Sequence, residues 1–252
     1  MRLITGLQPV REAIRVHGDK LARVLVQARG GPQIEAVARF AIDHSAKVEH
    51  VTSSDLDRAC KGARHQGAIA YAPELVLGSL DDLIALIAKV DDKTLVVALD
   101  ELEDPQNFGA IIRSAVALGA SAILWPEHHA APLSPATFRA SAGAIEHAAL
   151  YRVKSLHVAL NRLHDAGATI VGLDANADCT LSTALDRFQM EGGPVVLVIG
   201  AEGKGLRKPV KRACTCLARL PMSGRIDSLN ASVAAGIAIY EIMRHRHMYS
   251  NK

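Results

Sequence analysis

Aromatic residues make up only 4% of this 252-residue chain. Surfaces that hold single-stranded nucleic acid stack bases on aromatic rings, so a platform of that kind has little material here. Cysteine is also scarce. Cys60, Cys179, Cys214 and Cys216 are scattered, and the close pair Cys214 and Cys216 lacks the second Cys/His pair that zinc spacing requires. Buried free thiols are expected, with no metal. No apolar run reaches the ~18 residues of a membrane span, and Met1 to Gly6 contains no signal-peptide core. The expected setting is therefore the reducing cytoplasm, with no membrane partner. Excess charge is small as well: 29 Lys and Arg stand against 26 Asp and Glu, a net of +3. That balance allows a polyanionic partner without requiring one, and any such contact would lean on Arg, Lys and backbone donors.

What the chain does have is apolar material, 49% of its residues, enough for a real core. Residues 1–73 alternate short strands with amphipathic helices. Leu21 to Val26 reads as a strand that Gly30-Gly31-Pro32 breaks off, and Ile34, Val37, Ala38 and Ala41 follow at helical spacing. Lys47 to Val51 is a second strand, Ser53-Ser54-Asp55 supplies helix-capping chemistry, and Gln66 to Tyr71 closes the region as a strand. This small α/β module has a size that folds alone. Residues 74–93 look like a connector carrying one amphipathic helix, Leu80 to Val90.

From Thr94 the strands become apolar throughout: Leu95 to Leu99, Ala122 to Leu124, Thr169 to Leu173 and Val195 to Ile199. Strands apolar on both faces suit a mostly parallel sheet covered by helices, and Ala110 to Leu118, Leu156 to Ala166 and Ala231 to Arg246 supply helical patterns. The class is α/β, with a larger domain over residues 94–252.

Polar and glycine residues interrupt this pattern in three places, at strand ends where open α/β sheets bind ligands. The first is Leu99 to Arg113, where a helix is expected from about Asn107; read alone, Asn107 is equally an N-cap and Arg113 a surface residue. The second is Gly200-Ala201-Glu202-Gly203-Lys204-Gly205, a tight backbone turn that a ligand can approach. Its order is neither the dinucleotide fingerprint nor a Walker loop. A carboxylate in the loop opposes phosphate and favours a neutral or cationic ligand. The third runs from Leu220 through Pro221, Met222 and Gly224 to Ser228, Leu229 and Asn230, which lead into a small-residue helix that Ser228 or Asn230 could cap.

Taken together and in this order, Asn-x-Gly-x-x-x-Arg, Gly-x-x-Gly-x-Gly around Glu202, and Leu-Pro-Met leading to Ser-Leu-Asn-x-Ser are much more specific. They resemble the signature stretches of the SpoU family in the SPOUT methyltransferase superfamily, over about Thr94 to Arg246 and including Ala140 to Glu146. Thr5 to Ala13 and His65-Gln66-Gly67 are similar to the L30e-like RNA-binding domain of family members, closest to the 23S rRNA guanosine-2′-O-methyltransferase branch.

The resemblance implies a trefoil-knotted catalytic domain, a homodimer with its active site at the interface, and S-adenosylmethionine as methyl donor to a ribose 2′-hydroxyl of RNA. Gly200, Leu220, Met222 and Leu229 are the implied cofactor contacts. Arg113 is the implied residue at the acceptor hydroxyl. A guanidinium is a poor base, so stabilising alkoxide charge and an adjacent phosphate suits it better. Asn107, Glu202, Ser228 and Asn230 would build the network that orients it, with Glu202 as the carboxylate to hold the guanidinium. A sulfonium-bound methyl is already activated, so no metal is needed. The other readings are methylation of a tRNA or another rRNA site, a non-catalytic RNA-binding relative, and a dinucleotide enzyme. The last lacks a glycine between Glu101 and Gln106, where its fingerprint belongs.

Overall fold

A computed structural model of the chain describes residues 1–89, 94–189, 193–225 and 228–250. In chain order the elements begin with β1 (Arg2–Thr5), α1 (Leu7–His17), β2 (Arg23–Gln27), α2 (Pro32–Asp43), β3 (Val48–Val51), α3 (Ser53–Cys60) and β4 (Ala68–Ala72). Then follow β5 (Leu77–Gly78), α4 (Leu80–Lys89), β6 (Leu95–Asp100), α5 (Pro105–Ala117), β7 (Ala122–Pro126), α6 (Pro135–Ala140), β8 (Leu150–Val153) and α7 (Leu156–Asp165). The chain continues with β9 (Thr169–Leu173), β10 (Cys179–Thr180), α8 (Leu181–Gln189), β11 (Val195–Gly200), α9 (Lys208–Arg212), β12 (Cys216–Arg219) and α10 (Ala231–Ser250). It forms two compact units, Met1–Val76 with Leu133–His147, and Leu77–Pro132 with Ala148–Lys252.

The first unit is a four-stranded sheet in the order β1-β4-β2-β3, with β4 antiparallel to β1 and β2, and β2 parallel to β3. Side chains alternate across β2, as strand geometry dictates. Val24 and Val26 join Val10, Ile14, Val37 and Ala41 of α1 and α2 in one core, while Leu25 meets Leu56, Cys60 and Ile69 on the other face. The cap of α3 is Thr52 rather than the three residues after it. Its hydroxyl accepts from the Asp55 N–H at 3.2 Å, and the Asp55 carboxylate accepts from the Thr52 N–H at 3.2 Å, a reciprocal capping box.

Leu133–His147 belongs to this first unit, although the sequence pattern groups it with the C-terminal domain. The reason is electrostatic. Glu146 accepts a two-pronged contact from the Arg2 guanidinium at 2.9 and 2.8 Å and pairs with His17 at 2.8 Å, with its side chain 1% exposed. Arg2 also lies over the Phe138 ring, 5.3 Å from its centroid.

The second unit is an eight-stranded sheet, β10-β12-β9-β11-β6-β7-β8-β5, parallel at every pairing. Its central strands β6 and β11 are buried on both faces, which explains their unbroken apolar sequence. One face packs Val96, Ala98, Val196 and Val198 against helices α4, α7 and α9, while α10 packs on α5 and on β11. The stretch expected to be a connector is part of this core: Leu83 and Ile87 of α4 are buried in it, and β5 pairs with β8. The expected helix end at Val90 lies outside the described residues.

Burial alone would raise the pKa of Glu146. The hydrogen bonds and charges of Arg2 and His17 outweigh it and hold the carboxyl below its ordinary 4.5. Stability from this pair is therefore present above about pH 4.5 and is lost as pH falls through the lower folded value. Glu146→Gln, which leaves Arg2 buried without its charge, should cost about 3 kcal/mol. Hydrogen exchange of the β1 and α1 amides in the full chain is the check; protection equal to wild type at pH 7 would contradict the assignment.

Candidate active site

Strands β9, β11 and β6 lie side by side, and the chain leaves the carboxyl end of each into a polar loop. After β6, Asp104 caps α5, its carboxylate accepting from the N–H groups of Gln106 and Asn107 at 3.1 Å each. Pro105 then occupies the first helical position, where its missing donor costs nothing. The helix thus starts two residues before Asn107. This frees the Asn107 side chain from capping and turns it toward the neighbouring loop.

That neighbouring loop follows β11. Gly200 has no room for a side chain: a Cβ would stand 2.3 Å from the Gly205 carbonyl carbon, because the loop folds back into a bridge between Ala201 and Gly205. Gly203 and Gly205 take φ of +77° and +63°, the left-handed region that glycine enters without strain. The loop exit is fixed by Asp100, fully buried at the end of β6. Asp100 accepts from the Arg207 backbone N–H at 2.9 Å and from its Nε at 2.8 Å.

Asn107, Glu202 and Asn230, drawn from three separate stretches of sequence, meet in one network. Glu202 Oε2 accepts from Asn107 Nδ2 at 3.2 Å and from Asn230 Nδ2 at 3.3 Å, and Asn107 Oδ1 accepts from Asn230 Nδ2 at 3.0 Å. Asn230 also caps α10: its Oδ1 accepts from the N–H groups of Ser232 at 2.9 Å and Val233 at 3.4 Å. Of the two expected caps, Asn230 is the one that acts. One amide therefore both starts α10 and joins it to the loops after β6 and β11.

Beside this network opens a cavity of about 390 Å³. Gly200, Leu220, Met222 and Leu229, the four expected cofactor contacts, all line it, as do Glu202 and Ser228. Ile226 and Asp227, in the third stretch, lie outside the described residues. Arg113 stands apart, exposed on α5, and among the described residues it makes no hydrogen bond or ion pair. The expected Glu202–guanidinium contact is not formed within this chain; Glu202 is held by two amides instead.

The cavity also has a wall that the motifs did not indicate, formed by Leu173, Asp174 and Asn176 after β9 and by Lys211 of α9. The sequence offered only a carboxylate directly after an apolar strand, without the glycines that marked the neighbouring loop. The expectation of buried thiols holds for Cys60, while Cys179, Cys214 and Cys216 are half-buried; the Cys214 thiol is pushed up to about 12 chiefly by burial. Cys60 and Cys216 are shifted upward for the same leading reason. Among the described residues no group of three or more His, Cys, Asp or Glu side chains is placed to hold a metal ion, and no helix is long and apolar enough to cross a membrane.

The family models settle what this arrangement belongs to. Residues 94–240 match the SpoU rRNA methylase family, and residues 3–75 match the RNA 2′-O ribose methyltransferase substrate-binding family. The chain belongs to the SpoU rRNA methylase family. An uncharacterised tRNA/rRNA methyltransferase of Mycobacterium sp. (strain KMS) is 37% identical over 246 residues, covering 97% of this chain and 76% of its own length.

Two SpoU-type structures show the same fold. The SpoU methyltransferase AviRb from Streptomyces viridochromogenes, in complex with its cofactor AdoMet, is 27% identical with a TM-score of 0.72, covering 97% of this chain and 90% of its own. AdoMet-bound rRNA methyltransferase from Sinorhizobium meliloti is 28% identical with a TM-score of 0.72, covering 96% and 87%. The mostly parallel α/β sheet, the small N-terminal domain and the methyltransferase class all follow from this membership.

The Gly200 contact makes a sharp test. Gly200→Ala forces the loop off the Gly205 carbonyl and should destabilise the protein by about 2 kcal/mol, as overpacking does. Urea unfolding measures it, and an unchanged midpoint would show that the loop is free to move aside.

Proposed function

We propose that this SpoU-family chain transfers the methyl group of S-adenosylmethionine to a ribose 2′-hydroxyl in RNA, at a guanosine of 23S rRNA, as a cytoplasmic homodimer. The observation that carries the reading is the junction of a cavity lined by both apolar and charged residues with the Asn107–Glu202–Asn230 network at the end of a parallel sheet. The residues fit the cofactor. The volume falls in the range of small-molecule sites, Gly200 and the apolar Leu220, Met222 and Leu229 line it, and the Glu202 carboxylate has no cation partner among the described residues.

When bound, S-adenosylmethionine supplies a methyl group already activated by its sulfonium centre. The chain's own residues do the rest. Gly200, Leu220, Met222 and Leu229 hold the donor and keep water from it. Two amides fix one oxygen of Glu202, leaving its negative charge facing a cavity suited to a positive ligand. Arg113, exposed and with no side-chain partner among the described residues, would grip an RNA phosphate and stabilise charge growing on the acceptor oxygen. Ser228, which lines the cavity, would donate its hydroxyl to the same site. The 2′-hydroxyl proton then passes toward solvent or a substrate phosphate rather than to the guanidinium.

The first unit, matching a substrate-binding family, is assigned to RNA. Dimerisation is supported by Val233, Ile237 and Tyr240, which recur along α10 at 50%, 45% and 55% exposure, a stripe of apolar surface on the helix that Asn230 starts. A second copy placed there could bring its own groups to Arg113.

Arg113→Ala should lower methyl transfer about 100-fold or more, the usual loss of one charge-stabilising donor, while S-adenosylhomocysteine affinity by calorimetry stays within about 2-fold. Arg113→Lys should recover little, since a lysine cannot make a two-pronged contact to a phosphate as a guanidinium does. Mass-spectrometric mapping of 2′-O-methyl sites in rRNA and tRNA, from cells with and without the gene, identifies the target. Loss of no mark in either pool would defeat the enzymatic reading, and loss of a tRNA mark alone would replace the rRNA assignment.

A further inference from the structure

Asp174 lines the cavity and has no part in the chemistry above, yet it is built in with care. Continuing the β9–β11 register past Gly172 and Val198 places Asp174 beside Gly200, on neighbouring strand ends. Its backbone N–H donates to Ala218 O at 2.9 Å. One carboxylate oxygen, Oδ1, accepts from the Asn176 N–H at 3.0 Å, the other pairs with Lys211 Nζ, and the side chain is 11% exposed. Burial would raise its pKa, but the Lys211 contact and the Asn176 N–H outweigh that and keep the carboxyl below its ordinary value. An ionised carboxylate offers about two acceptor directions on each oxygen. One on each is used inside the protein, and one on each remains.

We propose that Asp174 accepts hydrogen bonds from the ribose diol of the cofactor's adenosyl group, with Lys211 as the positioning residue that holds the carboxylate in place. The inference rests on S-adenosylmethionine being the ligand of this cavity. Three groups on that molecule donate hydrogen bonds: the vicinal hydroxyls, the α-ammonium and the adenine amino group. Lys211 already neutralises Asp174 and repels a second cation, which disfavours the ammonium. The adenine amine is a single nitrogen, whereas a diol presents two adjacent donors to the two free directions of the carboxylate.

Charge elsewhere in the cavity agrees. Strand order runs β9, β11, β6, so Asp174 lies on the side of Gly200 away from Asn107 and α5. Glu202, with no cation partner among the described residues, joins the network on the α5 side. Positive charge on the ligand is drawn toward Glu202 and the transfer site, and the neutral sugar toward Asp174. Neither Asp174 nor Lys211 contributes to the Asn107–Glu202–Asn230 network, so the two ends of the cavity can be tested separately.

Calorimetry on the full chain with S-adenosylhomocysteine, its 2′-deoxy and 3′-deoxy derivatives, and 5′-methylthioadenosine decides the matter. Wild-type protein should bind at least one deoxy derivative about 10-fold or more weaker than the parent, the usual value of a hydrogen bond to a charged group. Asp174→Ala should weaken the parent by a similar factor and reduce the parent-to-deoxy difference to about 2-fold, with Asp174→Asn between. The Asp174→Ala penalty should persist for 5′-methylthioadenosine, which keeps the diol and lacks the amino-acid tail. Equal wild-type affinity for all three ribose forms overturns the proposal without need of any variant. So does full discrimination in Asp174→Ala, and a variant penalty that vanishes with 5′-methylthioadenosine assigns Asp174 to the ammonium instead. Failure of wild type to bind S-adenosylhomocysteine at all would remove the cofactor reading and this inference with it.

Discussion

Asp100 is a carboxylate with none of its surface exposed, at the end of a strand apolar on both faces. An isolated charge there would be expelled or neutralised. It is tolerated because Arg207 offers both its backbone N–H and its guanidinium, and the same guanidinium reaches Glu101 at 3.1 Å. Partial burial works against the arginine's charge, but the two carboxylates outweigh this and hold its pKa above the ordinary value. The pair joins the end of β6 to the exit of the glycine loop, so the loop is closed at both ends: by backbone contact at Gly200 and by this ion pair at Arg207. The position of Glu202 between those two anchors follows from them.

The core of the larger unit was legible in sequence because burial on both faces leaves a plain trace. Thr169–Leu173 emerges with the expected bounds, and β6 and β11 extend one residue beyond theirs. Elements with mixed surroundings were not legible. β12, with only Ala218 buried among its four residues, and the two-residue β5 and β10 carry too little pattern to distinguish a strand from a loop. The α5 start was misplaced because Asp104 competes with Asn107 as a cap, and the better cap sits one residue before a proline. Leu133–His147 falls in the compact first unit, where its Glu146 pairs with a residue 144 positions away, a distance no local periodicity can encode.

The site shows the same division. The family resemblance picked out the four expected cofactor positions, which line the cavity, and the residues of the Asn107–Glu202–Asn230 network, all in stretches where glycine, amide and carboxylate residues break an apolar run. Their mutual bonding was not legible, and the expected partner of Glu202 proved to be two amides instead of a guanidinium. Asp174 and Lys211 went unseen since neither sits in a glycine-rich loop. The asymmetry has a physical origin. Glycine loops announce themselves by composition, whereas a carboxylate on an adjacent strand end is recognisable only once strand order is known.

The membership of Leu133–His147 in the first unit also has a consequence for how the chain is made. Domains generally fold in order as they leave the ribosome. Here a nascent chain that has reached Val76 holds every strand of the first sheet, yet Arg2 and His17 still lack the carboxylate that completes their cluster. That carboxylate arrives only after β6, α5 and β7 of the other unit have been synthesised. The N-terminal module therefore completes its buried charge cluster late in synthesis, with a segment from the middle of the chain.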